Sequence, residues 1–312
     1  MQRGSPPRSE ESLGQFFRRA VSGPTTTVSL ALGGGGARGL AHIGAIQWLA
    51  ENNYAIRSIA GSSMGALVGG IFATGKLDVY TEWVLALERL RVVRLFDLAF
   101  GRTGLFKLER IMSVLRHLIG DCAIEDLPIA FTAVATDLES GEEVWLREGK
   151  LFDAIRASIA TPLIFTPCEH GSRTLLDGAL VNPVPISATL RDTTDLTVAV
   201  SLSGTDELKS SHSVRTSAPK GRAYQQRIQA FMASLHGPRP PEVASRGMFD
   251  IALGSMEVMQ KTIARLKLAQ NAPDIMVEIP ANACGFLEFW RGQELIALGR
   301  ERTAHAFAKA GR

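Results

Sequence analysis

The stretch TVSLALGGGGARG, Thr27 to Gly39, decides how the rest of the chain is read. An apolar run ends abruptly in four glycines, an alanine and an arginine. Glycine in an ordered segment costs backbone entropy and offers nothing to pack, so the main chain here must approach something closely. The run predicts a strand over 28–32, and the residues behind the glycines predict a helix over 39–52. A second strand over 56–60 leads into Gly61-Ser62-Ser63-Met64-Gly65 and a small-residue helix over 66–73. This strand–loop–helix alternation predicts an α/β fold on a mostly parallel sheet.

Helices are expected over 79–90, 108–119 and 151–159. A buried strand over 128–136 has a hairpin partner over 143–146, a short strand over 174–176 ends in Asp177, and LTVAVSL forms another over 196–202. Residues 1–26 are polar, punctuated by Pro and Gly, and read as a flexible arm ahead of a single domain, 27–312. From about 203 to 246 the chain turns polar and basic, with Lys209, Arg215, Lys220, Arg222, Arg227, Arg239 and Arg246. It reads as an insertion serving as a lid, a membrane contact or a solvated loop. An amphipathic helix over 248–270, read as mainly core, a strand over 275–279 and a helix over 293–310 complete the pattern. The aromatic FLEFW, 286–290, reads as packing for that last helix.

With 46% apolar residues among 312, the chain can bury a sizeable core. Its net charge of +3, with signs interspersed, falls far short of a nucleic-acid-binding protein, and no nucleic acid is expected. Cys122, Cys168 and Cys284 are too scattered for a disulfide framework or a zinc site. The first residues given hold no apolar core of signal-peptide length, and no apolar run reaches about 20 residues, so a cytoplasmic protein is expected, with peripheral contact at an anionic membrane surface left open.

Two motifs carry chemistry. Gly34, Gly35, Gly36, Ala37, Arg38 and Gly39 fit G-x-G-x-x-G between a strand and a helix, which would suit a dinucleotide. That reading needs a ribose-binding acid at the end of the second strand, where the sequence instead gives Gly61, Ser62, Ser63, Met64 and Gly65. This pentapeptide fits G-x-S-x-G, the sharp turn that pushes a serine hydroxyl out of a sheet edge, with Ser63 as nucleophile. Serine attack on an acyl carbonyl develops an oxyanion, which needs donors about 3 Å away. The glycine loop, with N–H groups bared at a helix start, reads as that oxyanion hole, and Arg38 either orients the loop or steadies the charge.

A hydroxyl needs a base. His42 reads as packed, His170 falls in a turn, and His212 and His236 lie in the polar insertion. Asp177, at a strand end before Gly178 and Ala179, is the better candidate, although an aspartate before glycine also reads as an ordinary turn.

Together these elements resemble the patatin-like phospholipases, in particular bacterial members similar to the neuropathy target esterase catalytic domain. The glycine loop matches Gly34 to Gly39, the nucleophile elbow Gly61 to Gly65, and the aspartate motif Asp177-Gly178-Ala179 in its alanine variant. ASIATPLIFTP, 157–167, resembles the family's proline-containing block. The resemblance implies a three-layer α/β/α fold and ester hydrolysis by a Ser63–Asp177 dyad through an acyl-serine. It implies neither metal nor cofactor, and a phospholipid or lysophospholipid substrate. Small-ester or thioester hydrolysis and a weakly active regulatory role are the alternatives.

Overall fold

A computed structural model of the chain describes residues 25–88, 106–207 and 247–312. The expected arm up to residue 24, most of the insertion (208–246) and residues 89–90 of the third expected helix lie outside the described residues. Five strands run parallel in the order β3–β2–β1–β7–β8. They are β1 (Thr26–Leu32), β2 (Tyr54–Ser62), β3 (Ala130–Asp137), β7 (Leu196–Gly204) and β8 (Ile275–Pro280). Three short antiparallel strands, β4 (Glu143–Leu146), β5 (Cys168–His170) and β6 (Arg173–Asp177), complete the sheet. β5 was not expected, and His170 lies at its end rather than in a turn. Its three residues are half-buried or exposed, and so short a polar strand leaves no alternation to read.

Among the described residues the helices are α1 (Ala41–Glu51), α2 (Met64–Ala73), α3 (Leu77–Leu85), α4 (Glu109–Ile119), α5 (Leu151–Ser158), α6 (Met248–Gln270) and α7 (Gly292–Lys309). Side chains alternate between sheet faces. Leu30, Leu32, Val198 and Val200 turn their bulk into the main core, shared with Ile43, Leu49, Leu67 and Phe307 of α1, α2 and α7. Ala31 and Ala199 face the other way, where Ala264 of α6 packs with Val184 and Ile186. Helices on both faces make three layers, and strands buried on both faces explain the continuous apolar runs.

α1 and α7 cross where each offers a glycine. A Cβ on Gly44 would strike the Ile296 carbonyl, and one on Gly299 the Ala41 carbonyl. Phe307 anchors the crossing, its ring 4.8 Å from Trp48 and 4.7 Å from Tyr54, a burial whose loss would cost about 3–5 kcal/mol. On the opposite side, α6 buries Met256 and Ala264 but leaves Met248, Ile251, Val258, Met259 and Leu266 exposed. The amphipathic pattern is present, but much of its apolar content is not core. Among the described residues no helix is long and apolar enough to cross a membrane.

β3 has β4 along one edge, so β2 and β6 must share the other. β2 pairs with it up to Ser62↔Val134, and β6 takes over at the next residue, Ala135↔Asp177. Two strands running in opposite directions thus meet end to end, and their last residues are delivered to one place.

Candidate active site

That place holds Ser63 and Asp177. Beyond Ser62 the chain reverses into α2, and Ser63 takes φ 55° and ψ −124°, a conformation rare for a residue with a side chain. The turn is tight: a Cβ on Gly65 would strike the Leu32 carbonyl, and one on Gly61 the backbone of Gly65 and Ala66. Met64 begins α2 and packs where a Cβ on Gly39 would sit. Ser62 points away and donates its hydroxyl to the Asn182 carbonyl at 2.7 Å.

Ser63 Oγ donates to Asp177 Oδ2 at 2.7 Å, and both residues are buried. Asp177 Oδ1 accepts the Ala179 N–H at 2.8 Å, and Oδ2 also accepts the Thr161 hydroxyl at 2.6 Å. Gly178 lets this turn lie on β3, where a Cβ would strike the Val134 carbonyl. Burial raises the proton affinity of Asp177, and the three donors oppose it. The result is a carboxylate held dry beside a hydroxyl, which is what a proton acceptor requires.

The glycine loop folds as a 3-10 turn, Gly36–Leu40, before α1 begins, rather than joining that helix at residue 39. Gly36 has φ +56°, and a Cβ there would meet the Phe286 carbonyl at 2.5 Å. Gly34 passes so close to the dyad that its Cβ would lie 2.6 Å from Ala179 Cβ and 3.0 Å from Ser63 Cβ. Several loop amides are already engaged. Gly34 N–H donates to the Pro183 carbonyl at 3.0 Å and Ala37 N–H to the Phe286 carbonyl at 2.8 Å. The N–H groups of Gly35 and Gly36 have no partner among the described residues. They are the loop donors left for a ligand.

Arg38 is buried, and its guanidinium is engaged by three acceptors. It donates to the carbonyls of Gly35 at 3.2 Å and Ala281 at 2.5 Å, and to Glu257 at 2.7 Å. These contacts suit orientation of the loop, one of the two roles weighed for it. His42 supports the loop's entry by bonding the Gly33 carbonyl at 2.8 Å, and burial lowers its pKa to about 4. His117, His170 and His305 make no contact with the dyad among the described residues, and His212 and His236 lie outside them. No group of side chains suited to a metal ion occurs among the described residues. Burial also raises the thiol pKa values of Cys122, Cys168 and Cys284, the last to about 11.

An apolar pocket opens beside Ser63. Leu40, Met64, Leu67, Tyr80, Trp83, Ile111 and Met112 are among its walls, with Thr161 at its polar end. Phe286 and Phe289 also line it, so part of the FLEFW segment borders the site as well as supporting α7. Sequence reasoning missed Thr161, Ser158, Glu257 and Phe286 as site residues. Ser158 Oγ accepts the Ser63 N–H at 2.9 Å while donating to the Val134 carbonyl at 2.6 Å.

The chain has recognisable relatives among known proteins. The family model described as patatin-like phospholipase matches residues 30–190. An uncharacterized NTE family protein of Mycobacterium bovis is 36% identical, over 89% of this chain and 91% of its own length. A counterpart in Mycobacterium tuberculosis gives the same 36% identity over 89% and 91%. The crystal structure of VipD from Legionella pneumophila aligns with a TM-score of 0.41 and 14% identity, over 93% of this chain and 68% of that one.

Proposed function

The chain belongs to the patatin-like phospholipase family, and from that premise we propose that it hydrolyses acyl esters of phospholipids or lysophospholipids by a Ser63–Asp177 dyad. The observation that carries this reading is the 2.7 Å bond from Ser63 Oγ to a buried carboxylate, at the foot of an apolar pocket. Lipid acyl hydrolysis is the activity the family supports.

The steps balance. An acyl chain lies along Leu67, Trp83 and Ile111, which brings its carbonyl carbon to Ser63 Oγ. The oxygen attacks, its proton passes to Asp177 Oδ2, and the carbonyl oxygen takes up negative charge facing Gly35 and Gly36. Collapse expels the alcohol or lysolipid, which leaves with the proton from Asp177, and the acyl-serine remains. Water then gives its proton to Asp177 and attacks, and Ser63 recovers that proton as the fatty acid departs.

Peripheral contact with an anionic lipid surface belongs to the same proposal. α6 exposes Met248, Ile251, Val258, Met259 and Leu266, and Lys261 and Arg265 are exposed on the same helix. Apolar side chains beside cations suit the headgroup region of such a surface.

Labelling with a fluorescent fluorophosphonate tests the reading. Label should enter the wild type and neither Ser63→Ala nor Asp177→Asn, and lysophospholipid or phospholipid should block it. Protection by short esters alone would make the protein a small-ester hydrolase. Labelling of folded Ser63→Ala would remove the nucleophile assignment.

A further inference from the structure

One turn, the last residue of α5 and the three that follow it, grips both partners of the dyad. Ser158 Oγ holds the Ser63 N–H at 2.9 Å, the Ala160 carbonyl accepts the Asp177 N–H at 3.1 Å, and the Thr161 hydroxyl reaches Asp177 Oδ2 at 2.6 Å. Thr161 is 3% exposed and borders the apolar pocket beside Ser63. We propose that Thr161 is a positioning residue: its hydroxyl holds the Asp177 carboxylate aimed at Ser63 while the serine oxygen leaves to attack. The inference rests on the dyad reading above and deepens it.

On the Asp177 carboxylate, Oδ1 has the Ala179 N–H at 2.8 Å, and Oδ2 has two hydroxyls, from Ser63 and Thr161. Once Ser63 Oγ is bonded to an acyl carbon, it no longer donates. A carboxylate tethered through Oδ1 alone can rotate away before the hydrolytic water arrives to be aimed by it. Thr161 supplies the second tether.

The residue is built to hold still. Its β-branched side chain has restricted χ1 freedom, its N–H is bonded to the Ile159 carbonyl at 2.8 Å, and its own carbonyl accepts from Phe165 at 2.9 Å. It also has somewhere to turn. When Oδ2 carries the proton, the Thr161 hydroxyl has the Ile159 carbonyl 3.5 Å away as a second acceptor. Among the described residues, no charged side chain enters this arrangement. The affinity of Asp177 for a proton is set by burial, which raises it, and by the donors Thr161, Ser63 and Ala179, which lower it.

The experiment is the rate of fluorophosphonate labelling of Ser63 against pH, in the full chain. Labelling needs ionised Asp177, so its acid limb reports that group. Thr161→Val keeps the shape and deletes the donor. Its acid limb should move up by about one pH unit, with a roughly tenfold loss of rate below the wild-type limb. Thr161→Ser, which keeps the hydroxyl, should overlay the wild type. An unmoved limb in Thr161→Val, or a Thr161→Ser protein displaced as far as the valine variant, overturns the proposal. If Thr161→Val does not fold, Thr161→Ala is judged by the same limb. Ser63→Ala and Asp177→Asn are run alongside. Label persisting in either would defeat the dyad itself, whereas both silent with the limb unmoved would defeat only the role of Thr161.

Discussion

The guanidinium of Arg38 lies 2.7 Å from the carboxylate of Glu257, so α6 braces the glycine loop. The two are unequal partners. Arg38 is buried and also serves the carbonyls of Gly35 and Ala281, while the Glu257 side chain is 44% exposed. Replacing Arg38 with Met should leave two carbonyls short of a donor, cost about 2–3 kcal/mol in urea unfolding and slow fluorophosphonate labelling by about tenfold or more. Glu257→Gln, at a solvent-screened pair, should cost less than about 1 kcal/mol. Equal losses from the two would show that the ion pair, rather than the carbonyl contacts, holds the loop.

Gly34 admits no side chain without parting the dyad, since its Cβ would sit 2.6 Å from Ala179 and 3.0 Å from Ser63. Gly34→Ala should therefore lose labelling by about a hundredfold and lower the melting temperature only modestly. Normal labelling would mean that the loop yields at no cost to the site.

Stability against pH should carry two opposite contributions. His42 is lowered from 6.5 to about 4 by burial, so the unfolded chain takes up a proton where the fold refuses it. Its contribution is intact above pH 6.5 and lost as pH falls towards about 4, worth up to about 3 kcal/mol. Urea unfolding across this window should show that decline, and His42→Gln should flatten it. Asp177 is raised above 3.8, so its contribution favours the fold below that value and is lost as pH rises through the folded value. Asp177→Asn should then be more stable than wild type at neutral pH while inactive. A destabilised Asp177→Asn would count against a cost of ionisation in the fold.

Lys261 and Arg265 should govern lipid attachment. Wild type should co-sediment with vesicles containing phosphatidylglycerol and less with pure phosphatidylcholine. Changing both residues to Glu should weaken attachment at least tenfold, with labelling by a soluble probe unchanged. Attachment indifferent to both substitutions would place the contact elsewhere.

The parts of this site that sequence makes legible are those with a local steric signature. Ser63 needs glycines on both sides of its turn, and a run from Gly33 to Gly36 cannot be explained by packing. Asp177 is legible only in part, because its two carboxylate oxygens make different contacts. Oδ1 makes the ordinary turn to Ala179, and Oδ2 faces Ser63. Thr161 and Ser158 sit within an apolar block where hydroxyls look incidental, and the separation between Ser158 and Ser63 is 95 residues. No spacing rule spans that distance. The brace from Arg38 to Glu257 crosses 219 residues and a basic segment, and β5 is too short to show a period. In the fold, parallel strands announce themselves by burial on both faces. The end-to-end meeting of β2 and β6 along β3 is a property of register, which a single chain does not spell out.

The anchoring of the glycine loop also bears on how this protein can be cut, swapped or inherited. The stretch matching the family model ends at residue 190, yet the loop within it is held by Glu257, Ala281 and Phe286. A gene fragment stopping after the aspartate motif would encode Ser63 and Asp177 and lack the contacts that hold the glycine loop beside them. The transferable unit therefore runs at least to Phe286. Recombination that exchanged its C-terminal third with a relative would be tolerated only where the newcomer brings its own acid, its own carbonyl and its own aromatic corner.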